Sequence, residues 1–389
     1  MAYKKTVIGA DILKRGNIKL MKKMNTSLII REFNSNGPLS RADLTESTGL
    51  SPTTITTLID EMIKDNLIMR VGEGESSGGR KPILLDLNPK HGYILSGWIS
   101  GESISIALLD IKYNITDIIE KEIIFPTDEN LIPEIKTIIE EIISSNNISN
   151  EKVLGLMLGI SGIINQQNGT IKYSALLDLE NYSIREPLSK YFSFPINIEN
   201  DTNLAALSEK EFGHKHLSNY IYLMIAPEIG SGIIFDNEIY RGRFGRAGEF
   251  GHLLMEKDGP RCTCGKKGCL APVLSQYIPI NKAQKFRNAF KDLEPGSKKY
   301  EKFCDYLAVA LTNYIHLIDN EAIIFGGELV KVASEKFYSD IEAKIKKYSM
   351  KNMYDNVRVL PASLSDNEVI MGGASFCFHN SKYFKNKEG

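Results

Sequence analysis

Nowhere in the 389 residues do 18 apolar residues run together, so no membrane-spanning helix is expected. An excess of one charge is also missing. The 47 Lys and Arg face 48 Asp and Glu, a formal net charge of −1, which excludes a uniformly basic protein. No leader is legible: the stretch "TVIGADIL" behind Lys4 and Lys5 is interrupted by Asp11 and then "KRG", too early for a signal peptide. The chain therefore reads as cytoplasmic, and its five cysteines as reduced thiols or metal ligands rather than disulfides. Glycine is scarce where a phosphate cradle would need it. The turn "IAPEIGSG" (225–232) offers only Gly230 and Gly232, while Pro227 lacks an N–H donor and Glu228 puts a negative charge where a phosphate would lie.

What is present is unevenly distributed. Residues 1–90 hold 14 Lys and Arg against 10 Asp and Glu, and the remainder holds 33 against 38. A basic head on an acidic body fits a small nucleic-acid reader fused to something larger, and the length predicts two or three domains. In the head, "PLSRADLTESTGL" (38–50) predicts a short helix with Ser40 as N-cap and Gly49 as its stop. "SPTTITTLIDEMIKDNL" restarts at once with Ser51 as N-cap and Pro52 in the first turn. Ile55, Leu58, Ile59, Met62 and Ile63 form one apolar stripe, with Thr53, Thr56 and Thr57 on the opposite side.

Two helices joined by a glycine turn make a helix-turn-helix, whose second helix enters the DNA major groove. Threonines are poor helix formers, and exposed here they suit phosphates, base edges and thymine methyls. "LIIREF" (28–33) supplies the first helix of the unit, and the apolar runs 67–71 and 82–87 around a Gly/Ser stretch predict a wing, with Arg80 and Lys81 near its tip. The candidate contacts to double-stranded operator DNA are Ser40, Arg41, Ser51, Thr53, Thr54, Thr56, Thr57, Arg80 and Lys81.

After "NPKHGY", apolar strands alternate with helical stretches, an α/β pattern. "YILSGWISGESISIALLDI" and "YIYLMIAPEIGSGIIFDNEIY" look alike, each a strand, a glycine turn and a second strand closing on Asp110 or Asp236. Hairpins about 125 residues apart predict a duplicated fold with a ligand cleft between its lobes. "GHLLMEKDGPRCTCGKKGC" then places Cys262, Cys264 and Cys269 within eight residues, ten positions after His252. Three thiolates and an imidazole complete a tetrahedral zinc shell, and Gly265 and Gly268 let the chain wrap around the ion. A closed shell is structural, contributing on the order of 10 kcal/mol to folding. Cys304 and Cys377 stand alone and read as buried apolar side chains.

The winged-helix segments together with "ENDTNLAAL" (199–207), "GRAGEFGH" (245–252), "CTCGKKGC" and "IIFGGEL" (323–329) resemble the ROK family of repressors and sugar kinases. The resemblance covers nearly all of the chain from about residue 25. It implies an α/β chain with an N-terminal winged helix-turn-helix followed by a two-lobed actin-like (ribonuclease H-like) ROK sugar-kinase fold. The expected domains are 1–88 for DNA binding, 89–198 for the first lobe and 199–389 for the second lobe with the zinc site, its last helix returning to the first lobe. It further implies a homodimer or homotetramer and a carbohydrate effector held by Asn200, Asp201, Glu249 and His252, the histidine binding zinc through one nitrogen and sugar through the other. Asp201 matches the base of kinase members.

Departures from the family pattern bear on mechanism. Ile99 replaces an Asp in the first hairpin, and Ala226, Pro227 and Glu228 replace a Gly-Thr-Gly turn in the second, removing magnesium and phosphate contacts on which phosphoryl transfer depends. The expected protein is thus a sugar-responsive transcriptional repressor without catalysis. The alternatives are a ROK sugar kinase with an appended DNA-binding head and a DNA-binding protein that responds to no ligand. Ala271 replaces a Glu, Leu176 an Asn and Ser161 a proline, and each hydroxyl left unpaired in the pocket costs about 1–3 kcal/mol, so selectivity should differ from that for an ordinary hexose.

Overall fold

The structure, a computed structural model, describes residues 18–75, 81–101, 103–122, 130–226, 228–279, 283–351, 353–354 and 356–381. Its first compact unit contains α1 (Ile18–Asn36), α2 (Arg41–Thr48) and α3 (Pro52–Lys64), then β1 (Ile68–Glu73) antiparallel to β2 (Ile83–Leu87). Ser40 caps α2 through a capping box with Asp43, and Gly49 ends it in the left-handed region at φ 69°. Ser51 caps α3 with Pro52 in its first turn. Ile55, Leu58, Ile59 and Met62 are buried, as are Ile29, Ile30, Phe33 and Leu44, so the apolar stripe is what closes the three helices on one another. Ile63, expected on that stripe, is only half-buried. Leu39 and Leu85 exchange backbone hydrogen bonds of 2.9 Å, an isolated antiparallel bridge that adds a third, one-residue segment beside β2. The same unit takes in Asp110–Asn114 and residues 378–381, where Lys112 Nζ meets the buried Asp86 carboxylate at 2.5 Å and Phe378 stands edge-on to Tyr113.

The second unit is built on two five-stranded sheets. The first uses β3 (Tyr93–Ile99), β4 (Ser103–Asp110) and β5 (Ile115–Glu122), then, after α4 (Leu131–Ser145), β6 (Val153–Ile160). A three-stranded antiparallel sheet, β7 (Ile163–Asn165), β8 (Thr170–Ser174) and β9 (Leu179–Ser183), and the short α5 (Arg185–Leu188) precede β10 (Ile196–Asn200), which completes the first sheet beside β6. Helix α6 (Asp201–Phe212) leads to the second sheet: β11 (Tyr220–Ile225), β12 (Ile229–Phe235) and β13 (Glu238–Ile239). Then come α7 (Leu270–Ser275), α8 (Ala283–Lys291), α9 (Lys298–Ile318), β14 (Ala322–Gly327), α10 (Glu335–Tyr348), β15 (Arg358–Pro361) and α11 (Glu368–His379).

The strand orders are β5-β4-β3-β6-β10 and β13-β12-β11-β14-β15, one topology used twice, so each of the two similar hairpins founds one sheet. Helix α11 lies against the first of them, since a Cβ on Gly373 would come within 3.0 Å of Met157 Cγ in β6. Cys304 and Cys377 are buried, as expected of lone apolar thiols. Helix α11 also crosses α6 so closely that a Cβ on Gly372 would fall 1.8 Å from the carbonyl oxygen of Leu204. Gly372→Ala should therefore destabilise the fold by at least about 1–3 kcal/mol, read as a lower thermal midpoint; an unchanged midpoint would contradict this packing.

Candidate functional site

The site is organised by the first turn of α6, which is wedged between the sheets. A Cβ on Gly159 of β6 would lie 3.5 Å from Asp201 Cα, and one on Gly232 of β12 would lie 2.3 Å from the carbonyl oxygen of Thr202. Asn200 is the N-cap: its Oδ1 accepts from Asn203 N at 3.1 Å and Thr202 Oγ1 at 2.5 Å, and its Nδ2 donates to Gly162 O at 3.1 Å. These bonds commit most of the Asn200 side chain to the helix start.

Asp201 is only 6% exposed. Its carboxylate accepts from Thr202 N at 2.8 Å and from the indole Nε1 of Trp98 in β3 at 3.3 Å. Burial pushes its pKa up to about 7, helped by the negative charge of Glu228 and opposed by the two hydrogen bonds. Glu228 sits in the β11–β12 turn, where Ala226 holds φ at 63°, a conformation glycine adopts without strain. Its Oε2 accepts from Ser161 Oγ at 2.6 Å, a bond joining the loop after β6 to the turn of the second sheet. Two of the departures noted in the sequence are thus bonded to each other.

Two residues away, Glu199 has a different environment. It is buried and accepts from Arg241 Nε at 2.7 Å, Asn203 Nδ2 at 3.0 Å, Asn200 N at 2.8 Å and Gln166 Nε2. Arg241 in turn accepts from Ala247 N at 3.1 Å, which holds the loop running into "GEFGH" against the start of α6. On that loop Glu249 is half-exposed, its pKa raised by desolvation, lowered by His252 and raised by Glu228. His252 Nε2 lies 4.0 Å from Glu249 Oε2 while its Nδ1 lies 3.4 Å from Cys262 Sγ. The imidazole therefore faces the candidate effector contact with one nitrogen and the cysteines with the other.

His252, Cys262, Cys264 and Cys269 bring one ligand atom each to within 4.8 Å of one another, and Cys264 Sγ is 3.7 Å from Cys269 Sγ. This set can hold a metal ion. Cys262 N donates to Lys266 O at 2.8 Å and Gly265 N to Cys262 O at 3.0 Å, forming the tight loop between the ligands. Gly268 holds φ at 73°, and a Cβ there would fall 1.5 Å from Glu256 O, so no other residue fits. Burial, reinforced by the other two sulfurs, pushes the Cys269 thiol up to about 12, so binding a metal there must displace a proton. Leu176 packs on the first hairpin turn, where a Cβ on Gly101 would lie 2.7 Å from it, and Ala271 sits half-buried on α7.

In the head, Thr53, Thr56 and Thr57 are exposed along α3, and Lys81 is exposed beside the wing. Thr57 Oγ1 donates to Thr53 O at 3.0 Å, while Ser51 Oγ and Thr54 Oγ1 lie 2.9 Å apart in a mutual hydrogen bond. Arg41 pairs with Asp60 at 2.5 Å on the surface, a bond weak enough to yield to a phosphate. Ser40 differs: it is 4% exposed, and its hydroxyl serves the helix cap. Arg80 lies outside the described residues.

Sequence reasoning gave no role to Trp98, Glu199 or Arg241, and although it singled out Ser161 and Glu228 separately it did not pair them. Glu199 opens the quoted "ENDTN" motif, and that was its only available signal.

Two sheets of one topology around a shared helix start, preceded by three helices and a wing, define a two-lobed α/β protein with a winged helix-turn-helix. The ROK family profile matches residues 99–379, and the chain belongs to that family. A profile for winged helix-turn-helix DNA-binding matches residues 25–69. The chain is 29% identical over 371 residues to the xylose repressor of Bacillus spizizenii, covering 91% of this chain and 95% of that one. It is 24% identical over 379 residues to the DNA-binding transcriptional dual regulator NagC of Escherichia coli K12, covering 91% and 92%. Among solved structures it resembles a ROK family transcriptional regulator described as a homolog of the E. coli Mlc protein, with TM-score 0.72, 23% identity and 92% and 96% of the two chains covered. A ROK glucokinase from Streptomyces griseus, in complex with glucose and AMPPNP, matches with TM-score 0.62 and 22% identity over 73% of this chain and 99% of that one.

Asp201 generates a pH prediction. Its folded pKa of about 7 exceeds the ordinary 3.8, so the folded chain binds a proton the unfolded chain lacks. The resulting stabilisation is full below the ordinary carboxylate range and lost as pH rises through about 7. The melting temperature of the wild type relative to Asp201→Asn should accordingly rise between about pH 8 and about pH 5; parallel melting curves would contradict it.

Proposed function

We propose that the chain is a DNA-binding transcriptional repressor of sugar-metabolism genes, controlled by a small carbohydrate in a cleft that carries out no phosphoryl transfer. The observation that carries this reading is the Ser161–Glu228 hydrogen bond. It lies where the second hairpin has lost its glycine turn, and it sets a carboxylate where phosphates would need donors. Ile99, fully buried in β3, supplies no metal ligand on the other hairpin. The xylose repressor and the DNA-binding transcriptional dual regulator that the chain resembles along nearly its whole length support the same reading.

In the proposed mechanism α3 enters the major groove and the wing lies beside it. A homodimer would set two recognition helices about 34 Å apart on a palindromic operator, and a tetramer would repeat that arrangement. Thr53→Ala and Thr56→Ala should each weaken operator binding by about 1–3 kcal/mol with little loss on random DNA; equal losses on both would contradict base contact. Asn200, Asp201, Glu249 and His252 would contact the effector. Because they belong to α6 and to the loop carrying the metal ligands, a ligand favouring one arrangement of the sheets would shift the population that binds DNA. Fluorescence anisotropy of a labelled operator complex against pentoses, hexoses, amino sugars and disaccharides tests this. Release by one class is expected, and a complex indifferent to all would remove the effector.

Zinc is the metal proposed for the Cys3His set. Zn–S bonds of about 2.3 Å at tetrahedral angles put sulfurs about 3.8 Å apart, and Cys264 and Cys269 stand 3.7 Å apart. Zinc there would fix the loop and orient His252 toward the effector. Cys264→Ser, or chelation, should release about one zinc per chain and lower the melting temperature. Full stability with no zinc by elemental analysis would oppose this. The kinase reading has one favourable observation, the buried Asp201 with a pKa near that of a general base.

A further inference from the structure

We infer that Glu228, positioned by Ser161, is a specificity-determining residue of the cleft: it admits uncharged carbohydrates and rejects their phosphate esters. This rests on reading the cleft as the effector site and names the ligand class that site takes.

The argument is one of uncompensated charge. Glu228 is close enough to oppose ionisation of Asp201, and the two carboxylates accept from neutral donors: Trp98 and the Thr202 amide for Asp201, Ser161 for Glu228. Among the described residues neither forms an ion pair with Lys, Arg or His. The guanidinium nearest the motif, that of Arg241, is already engaged at 2.7 Å by buried Glu199. Glu249 adds a further carboxylate, and His252, its neighbour, turns its other nitrogen to Cys262.

A sugar presents hydroxyls, which donate to such oxygens without adding charge. A phosphate ester brings about −1.5 to −2 charges at neutral pH and needs cations or free N–H donors, whereas the N–H groups of Trp98 and Thr202 are already taken by Asp201. Ser161 matters because its hydroxyl, donating at 2.6 Å, holds the Glu228 carboxylate across the interval between the sheets instead of letting it swing into solvent. A regulator so built reads the free sugar, the species consumed by a phosphorylation step, rather than that step's product.

The test uses the full chain and inorganic phosphate as probe, because Trp98 is the only tryptophan and its indole is bonded to Asp201. Phosphate should leave Trp98 fluorescence of the wild type unchanged. Glu228→Gln, which keeps the shape and can still accept from Ser161, should bind phosphate at least tenfold more tightly; Glu228→Lys should bind it more tightly again, and Ser161→Ala should show a smaller gain. The same response in wild type and all variants, silent or not, would overturn the assignment. So would a phosphate ester that raises the wild-type melting temperature more than its parent sugar does. Neither DNA nor a known effector is needed for the phosphate titration, so failure of the repressor reading leaves its outcome separately legible.

Discussion

The first turn of α6 sits where two sheets close on one helix, with Gly159 of β6 beside Asp201 and Gly232 of β12 so near that a Cβ there would fall 2.3 Å from the Thr202 carbonyl oxygen. Any group placed there is felt by both halves of the second unit. The two carboxylates flanking Asn200 illustrate how environment divides their roles. Glu199 is buried with a guanidinium and three further donors, and so holds the motif to the loop that follows β13. Asp201 is buried without a cation, retains a proton near neutrality, and faces the charge of Glu228. One serves as a fastener; the other stands against a second carboxylate with no cation bonded to it.

From that helix start the remaining site residues follow by short connections. Arg241 joins Glu199 to the loop of Glu249, and His252 joins Glu249 to the three cysteines. A metal in the cysteine loop would then stiffen a contact several residues away, because the imidazole has two nitrogens and a single orientation serves both. The Ser161–Glu228 bond closes the opposite side, tying the end of β6 to the β11–β12 turn.

Much of this was legible in the sequence where the physics is local. Ser40, Gly49, Ser51 and Pro52 announce two helices because caps and stops act within four residues. The cysteine spacing announces that three thiols gather in one loop, because Cys262, Cys264 and Cys269 lie within eight residues of one another. The resemblance of two hairpins announced the duplicated sheets because each hairpin carries its own alternation and turn. What stayed hidden depends on residues far apart in the chain: Ser161 with Glu228, Trp98 with Asp201, and Glu199 with Arg241. Position alone also misleads in one respect. Ser40 suits both a helix cap and a DNA contact from sequence, and its burial shows that the cap occupies the hydroxyl.

The central claim, that the head reads DNA while the cleft answers to sugar without nucleotide chemistry, is tested most directly by following ADP formation as the operator complex is titrated with carbohydrate in the presence of ATP and magnesium. The account predicts sugar-dependent release of DNA with no ADP formed, and identical release when ATP is left out. ADP accumulating in proportion to added sugar would contradict it.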